Sequence, residues 1–377
     1  MTASPPLLIF IRILLWATFF STYIGAADPW WRAKEWAAFT AGSLWLAYRA
    51  WRSPLPIREG NLWAALLFAW VVIQMFLQNI LPIVTAGSKY GSSMWPWICF
   101  LQLIIAFVWF SDASTCLSRE DFRKVYRTFS LIGWVLSVHM LLQALNLDPL
   151  MWLIQVKYGS VNWIHGNHVV GLMGNPSQAG ITLAVLAPAM AVSGWGALLG
   201  FMALLCTQSA SAILSGSLGI LLVLWLSGKR RWAVGIVSLL ICGVFYAYQR
   251  ELLSENGRLA IWELSLKAWA THPIEGIGIG MYKVLNLIDP TPPGYALRWA
   301  HNEWIQLLAE LGLIGGSLAV LWALSLLRHV RRLSPVLLGT LVSCLALTPL
   351  AIPWHLAPSA VVTLLALAAH HGSVRDG

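Results

Sequence analysis

The chain reads as an all-α, polytopic membrane protein, and three features of the sequence predict this independently. Charged residues are 10% of its 377 positions, apolar residues 58%, and the mean hydropathy is +0.71. Soluble domains carry about 25% charged residues, so lipid rather than water is the solvent for most of this surface. The apolar residues also fall into runs, and a helix crossing about 30 Å of hydrocarbon needs about 20 of them. Lys and Arg, finally, alternate between crowded and sparse loops, as expected when basic loops stay in the cytoplasm.

Taken in order, the runs divide into about twelve candidate spans: 6–25, 34–51, 61–83, 94–111, 125–145, 177–193, 195–209, 211–227, 232–249, 303–327, 334–352 and 355–370. The first, within Met1 to Gly25, lacks a small-x-small cleavage pattern followed by a soluble domain and is read as a span. With the amino terminus inside, the inner loops hold Arg49, Arg52 and Arg58; Arg119, Arg123, Lys124 and Arg127; Lys229, Arg230 and Arg231; Arg328, Arg331 and Arg332; and Arg375. The short outer loops hold only Arg32, Lys34, Lys89 and Lys157, while Arg12 falls inside the first span. Both ends are therefore expected on the cytoplasmic side. A shorter outer loop covers 146–176 and a long one 250–302. Many of the 23 tryptophans fall near predicted helix ends, where the amphipathic ring suits the headgroup region.

The net charge of +9 follows from this topology. Its positives are scattered over alternating loops, whereas nucleic acid would need a continuous basic face. The five cysteines, Cys99, Cys116, Cys206, Cys242 and Cys344, lie in spans or on the inner side, giving no support to disulfides or a thiolate zinc site. No repeat or soluble domain interrupts the chain, so residues 1–377 are read as a single integral membrane domain.

Chemistry is then expected in the outer loops. The shorter loop contains Trp163-Ile164-His165-Gly166-Asn167-His168, then Gly174-Asn175-Pro176-Ser177. Asn-Pro marks a turn, and Ser177 suits the cap of the next helix. His165 and His168 have the spacing of one helical turn, but with no third ligand nearby the expected reading is a solvated loop. In the long loop, Leu259, Trp262, Leu266 and Trp269 predict a helix lying in the membrane interface, with Glu263 and Lys267 as an i,i+4 pair. It ends at His272-Pro273. The following Gly276-Ile277-Gly278-Ile279-Gly280 lacks the third glycine and strand context of a dinucleotide site. It is read as a loop packing on spans or substrate.

After Arg298-Trp299-Ala300, His301 sits at the start of the tenth span. The positive end of a helix disfavours the imidazolium there and attracts phosphate. Glu303, Gln306 and Glu310 follow at i, i+3 and i+7, a polar stripe predicted to face a cavity rather than lipid. Gly312, Gly315 and Gly316 are read as points of close helix approach. His139, in the fifth span, is read as a buried, hydrogen-bonded core residue.

Gly257-Arg258 with Trp262, Pro273 with Gly276-Ile277-Gly278, Ala300-His301-Asn302-Glu303 and Leu308-Ala309-Glu310-Leu311-Gly312-Leu313-Ile314-Gly315 together resemble the O-antigen ligase and polymerase superfamily. Gly174-Asn175-Pro176-Ser177 and Thr207-Gln208-Ser209 extend the likeness, which is strongest over about residues 170–325. The resemblance implies a metal-independent glycosyltransferase without cofactor, in the bacterial inner membrane with its site facing the periplasm. Its donor would be an undecaprenyl-diphosphate-linked glycan. Its acceptor would be lipid A-core in a ligase, another carrier-linked glycan in a polymerase, or a protein hydroxyl.

The residues fit that chemistry. Arg258 and Arg298 are candidates for the diphosphate, guanidinium being suited to bidentate phosphate contacts. His301 is the candidate base for the acceptor hydroxyl. Glu303 or Glu310 would orient it or hold sugar hydroxyls, and Asn175 joins the substrate-binding candidates. Where many members of the family have Ser-Arg, this chain has Gln208-Ser209-Ala210-Ser211; Arg250 or Lys283 would then replace the arginine. Ligase is the first reading and polymerase the alternative. A secondary transporter shares the topology, but transporters place their binding groups near the midplane, whereas these candidates cluster outside.

Overall fold

The computed structural model describes residues 5–20, 31–52, 62–77, 102, 104–106, 113–114, 119–148, 169–249, 258–284, 299–327, 333–351, 353 and 357–375. Among them all regular structure is helical, with no strand, as lipid requires when every peptide group must be satisfied within its own segment. The helices are α1 (Pro5–Phe20), α2 (Trp31–Arg52), α3 (Leu62–Leu77), α4 (Arg119–Ala144), α5 (Pro176–Met190), α6 (Gly194–Cys206), α7 (Ala210–Leu226), α8 (Arg230–Gln249), α9 (Arg258–Thr271), α10 (Glu303–Leu327), α11 (Pro335–Leu347) and α12 (Ala357–Arg375). The expected spans fall on these helices, apart from 94–111, which lies largely outside the described residues, and α9 falls within the expected 250–302 segment. Two described helices, Glu120–Ala144 and Glu303–Ser325, are long and apolar enough to cross a membrane. Others are shorter: the 13 residues of α6 rise about 20 Å, below the thickness of the hydrocarbon layer. The about twelve expected crossings are thus represented, in the described residues, by two full-length helices and a set of shorter apolar ones.

Helix starts follow side-chain chemistry. Asn175 adopts the extended conformation of a cap, and its Oδ1 accepts from the backbone amides of Ser177 (2.9 Å) and Gln178 (3.3 Å), with Pro176 opening the helix. The cap of α5 is therefore Asn175, not the expected Ser177; proline has no amide to satisfy and suits the first helical position. Ser193 and Ser334 cap α6 and α11 in the same way.

The centre of the molecule is α5, buried on every side from Ala179 to Met190 and packed against α4, α7 and α11. Lipid-embedded helices gain little from excluding water from one another, so they associate through small residues that let backbones approach. A methyl group on Gly219 would stand 2.1 Å from Ser343 Oγ and 2.6 Å from the Gly339 carbonyl. Ser343 Oγ donates to the Ser215 carbonyl (3.0 Å) across the same α7–α11 contact. Large apolar side chains, such as Leu214 and Leu218 on α7 and Val234 and Ile241 on α8, point outward.

At the C-terminal end of α4, His139 Nε2 meets Asp148 Oδ1 (3.0 Å), and Gln143 donates to Asp148 Oδ2 (2.7 Å). Gln143 also accepts from the Gly171 amide (2.8 Å), tying the helix to the chain that leads into α5. His139 is thus hydrogen-bonded and largely buried, as the sequence suggested.

Candidate functional site

The site is assembled on α9 and the N-terminal half of α10, which pack together, with α10 also against α3. Helix α9 does not divide as the sequence predicted. Its packed face is Ile261, Ser265 and Ala268, while Leu259 and Leu266 point outward. The two tryptophans of the expected stripe are half-buried and donate indole hydrogens, Trp262 to the Ala300 carbonyl (3.0 Å) and Trp269 to the Pro273 carbonyl (3.0 Å). The ring hydrogen bond drew them inward, since a buried indole N–H needs an acceptor. Glu263 and Lys267 pair at 2.9 Å as expected. Ser265 Oγ donates to the Ile261 carbonyl (2.6 Å), so the hydroxyl of Tyr282 is the donor in its 2.6 Å contact with Ser265. Tyr282 is fully buried, and that burial pushes its hydroxyl up to about 12, against the opposing pull of Ser265 and with a further push from Glu310.

Helix α10 is broken at Gly312, whose backbone leaves helical geometry at φ 65, ψ −167. In a continuous helix the amides of Leu313 and Ile314 would bond to the carbonyls of Ala309 and Glu310. Here they bond to Pro273 O (2.9 Å) and Ile274 O (3.2 Å), and the two released carbonyls accept instead from Ile277 N and Gly278 N, both at 2.9 Å. The Leu311 carbonyl is taken by Trp70 Nε1 (3.0 Å), and Gln74 Nε2 reaches the carbonyls of Glu310 (3.2 Å) and Glu275. Residues 273–278 are thus stitched into the break, which leaves no peptide group of Ala309–Leu311 wanting a partner in an apolar layer. The crossing requires glycine on both sides. A methyl on Gly276 (φ 78) would lie 2.4 Å from the Glu310 carbonyl, and one on Gly312 2.2 Å from that of Ile274. Gly312 was expected to admit a neighbouring helix; what it admits is a loop. Gly315 does serve close helix packing, with its added methyl 3.1 Å from Trp70 of α3.

The polar stripe on α10 is buried at Glu303, Gln306 and Glu310, and it faces the long loop rather than lipid. Gln306 Oε1 accepts from the Ala300 amide (3.1 Å), its Nε2 lies 3.4 Å from Glu310 Oε1, and that oxygen accepts from the Tyr282 amide (3.3 Å). Where the sequence suggested a cavity, Gln306 and Glu310 therefore bond to the loop itself. Asn302 caps α10, its Oδ1 accepting from Trp304 N and Ile305 N, both at 3.1 Å. The Glu303 amide donates to the Thr348 carbonyl (2.8 Å), and Trp304 Nε1 to Thr348 Oγ1 (2.8 Å).

His301, between this cap and Ala300, has φ 52. Such a conformation costs a residue other than glycine on the order of 1–3 kcal/mol and persists only where its surroundings impose it. The ring is held below the ordinary histidine range, first by burial and second by the nearby Arg258 charge. The neutral imidazole expected from the helix end is thus obtained, with burial and Arg258 as its main causes. Arg258 is itself partly buried at the first turn of α9, and that burial lowers its proton affinity.

The structure thus brings His301, Arg258, Glu303 and Glu310 onto two packed elements, while Asn175 serves at another, the start of α5. Arg298, Arg250, His165 and His168 lie outside the described residues, as does the side chain of Lys283. Gln306, Trp262 and Tyr282 were not singled out as site residues. Only the recurrence of Gln306 in the polar stripe pointed toward one of them.

No curated protein matches the chain. Residues 195–320 match the family described as O-antigen ligase, a stretch that includes Arg258, His301 and both sides of the Gly276–Gly312 crossing. That match supports a helical, membrane-embedded protein of glycan assembly and agrees with the motif order read from the sequence. Across residues 195–320 the chain is thus similar to the O-antigen ligase family.

Proposed function

We propose that this protein transfers a glycan from an undecaprenyl-diphosphate carrier to an acceptor hydroxyl at the periplasmic face of the bacterial inner membrane, as an O-antigen ligase acting on lipid A-core. The observation that carries the reading is a histidine whose ring is held below its ordinary range by burial and by a nearby arginine, at the start of a long apolar helix. His301 takes the proton of the acceptor hydroxyl, whose oxygen forms the new bond to the anomeric carbon. The bond from that carbon to the carrier diphosphate breaks, and the electron pair leaves with the diphosphate. Arg258, with Arg298, offsets the charge that develops there, which matters most where water is excluded. Glu303 and Glu310 organise the base and the sugar hydroxyls, and Asn175 contributes from the start of α5. The chemistry assigns no step to a metal or cofactor.

The test is transfer by purified protein from carrier-linked glycan, with lipid A-core and carrier-linked glycan offered as separate acceptors. Wild type should glycosylate lipid A-core, and His301→Ala should lose at least about a hundredfold in kcat. Transfer only to carrier-linked glycan would convert the reading to a polymerase of the same superfamily. Undiminished transfer by His301→Ala would remove the base. Solute uptake into vesicles, with no transfer to either acceptor, would favour a transporter.

A further inference from the structure

The torsion φ of His301 is set by two peptide groups, one on each side of its N–Cα bond, and each is held from outside the residue. The preceding group carries the Ala300 carbonyl, which accepts from Trp262 Nε1 on α9 (3.0 Å). Ala300 is fully buried, and its amide donates to Gln306 Oε1 on α10 (3.1 Å). The chain that follows is fixed by the Asn302 cap and by the bond from the Glu303 amide to the Thr348 carbonyl (2.8 Å). A positive φ in a residue with a Cβ relaxes toward negative values unless both neighbours resist. Rotation of the Ala300–His301 peptide is the simplest route; Trp262 holds that peptide by its carbonyl, and Gln306 holds the Trp299–Ala300 peptide before it, so that the two side chains fix Ala300 from both sides.

We propose that Trp262 and Gln306 are positioning residues that clamp Ala300 from two helices and so hold the His301 ring in its half-buried place near Arg258. The proposal rests on the reading of His301 as the base. It gives α9 a second task besides presenting Arg258, because the same helix that brings the cation also fixes the neighbouring imidazole. It also accounts for a glutamine that is 1% exposed on a membrane helix: a polar side chain there is expensive, and its acceptor oxygen serves the residue next to the histidine.

The experiment measures steady-state transfer and its pH dependence for Trp262→Phe, Gln306→Leu and Gln306→Glu in the full-length protein. Trp262→Phe keeps a ring in place without the donor, and Gln306→Glu keeps an acceptor oxygen at the same reach. Trp262→Phe and Gln306→Leu should each lower kcat about tenfold with KM for the carrier-linked glycan unchanged within about twofold, as expected when orientation rather than binding is lost. The acid limb of kcat should move up, toward ordinary histidine, as the ring leaves its half-buried site near Arg258. Gln306→Glu should recover kcat to within about threefold of wild type.

Wild-type kcat with an unmoved acid limb in Trp262→Phe would overturn the clamp even where Gln306→Leu fails to accumulate. So would an equal rise in KM with no change in the pH profile. Full transfer by His301→Ala would instead sink the assignment of the base, and the two failures are told apart by that variant alone.

Discussion

His301 owes its working range to its neighbours. In the proposed mechanism its neutral form takes the proton, and that form dominates above the pKa, so burial and Arg258 together should extend activity to lower pH than an ordinary histidine would allow. The acid limb of kcat should therefore fall below about 6.5. Arg258→Gln removes one of the two causes, so the limb should rise; Arg258→Lys should leave it near the wild-type position. The measurement is a pH–rate profile with saturating donor. A limb that stays put in Arg258→Gln, or one already above the ordinary histidine value in wild type, would contradict the geometry. The sequence marked His301 through the motif around it, since a histidine at the entry to an apolar run is by itself more often a structural residue. The positive φ was not legible: it arises from contacts that span 38 and 45 positions of the chain, Trp262 to Ala300 and Glu303 to Thr348.

Among the elements, the break in α10 is the one on which the others depend. It lets residues 273–278 enter the helix at Gly312, and two small apolar clusters, one around Tyr282, Ala300 and Ala309 and one around Val71, Ile279 and Leu311, complete the seal. Gly312→Ala and Gly276→Ala each meet backbone atoms within 2.5 Å at a positive φ. Each should cost more than about 2 kcal/mol, read as a lower thermal midpoint in detergent and reduced accumulation in membranes. Gly316→Ala is the control. Its methyl would touch only the ends of Leu308 and Leu307 at 3.5 and 3.9 Å, so it should behave as wild type. Equal tolerance at all three positions would refute the crossing. The sequence displayed these glycines without their partnership, because a glycine that admits a helix and one that admits a loop look alike along a chain.

For the whole molecule, the inside–outside alternation of basic loops makes a prediction that the packing of α5, α7 and α11 does not. In a cysteine-free version, a cysteine placed at the exposed turn residue Ser227 should react with an impermeant thiol reagent only from the cytoplasmic side, and one placed at the exposed Thr271 only from the periplasm. Labelling of both from one side would overturn the topology and move the site away from the periplasmic donor. Composition and periodicity by themselves determined that the chain is helical, membrane-embedded and divided near the observed helix boundaries, because hydropathy and helical period are local properties. They also directed attention to one short polar stretch, since ionisable groups are costly in lipid. Only the tertiary structure decided that Gly312 breaks its helix, that Asn175 rather than Ser177 caps α5, and that Trp262 and Gln306 meet at Ala300. Each of those depends on two segments competing for the same hydrogen bond or the same few ångströms of space, and the outcome exists only once the segments are side by side.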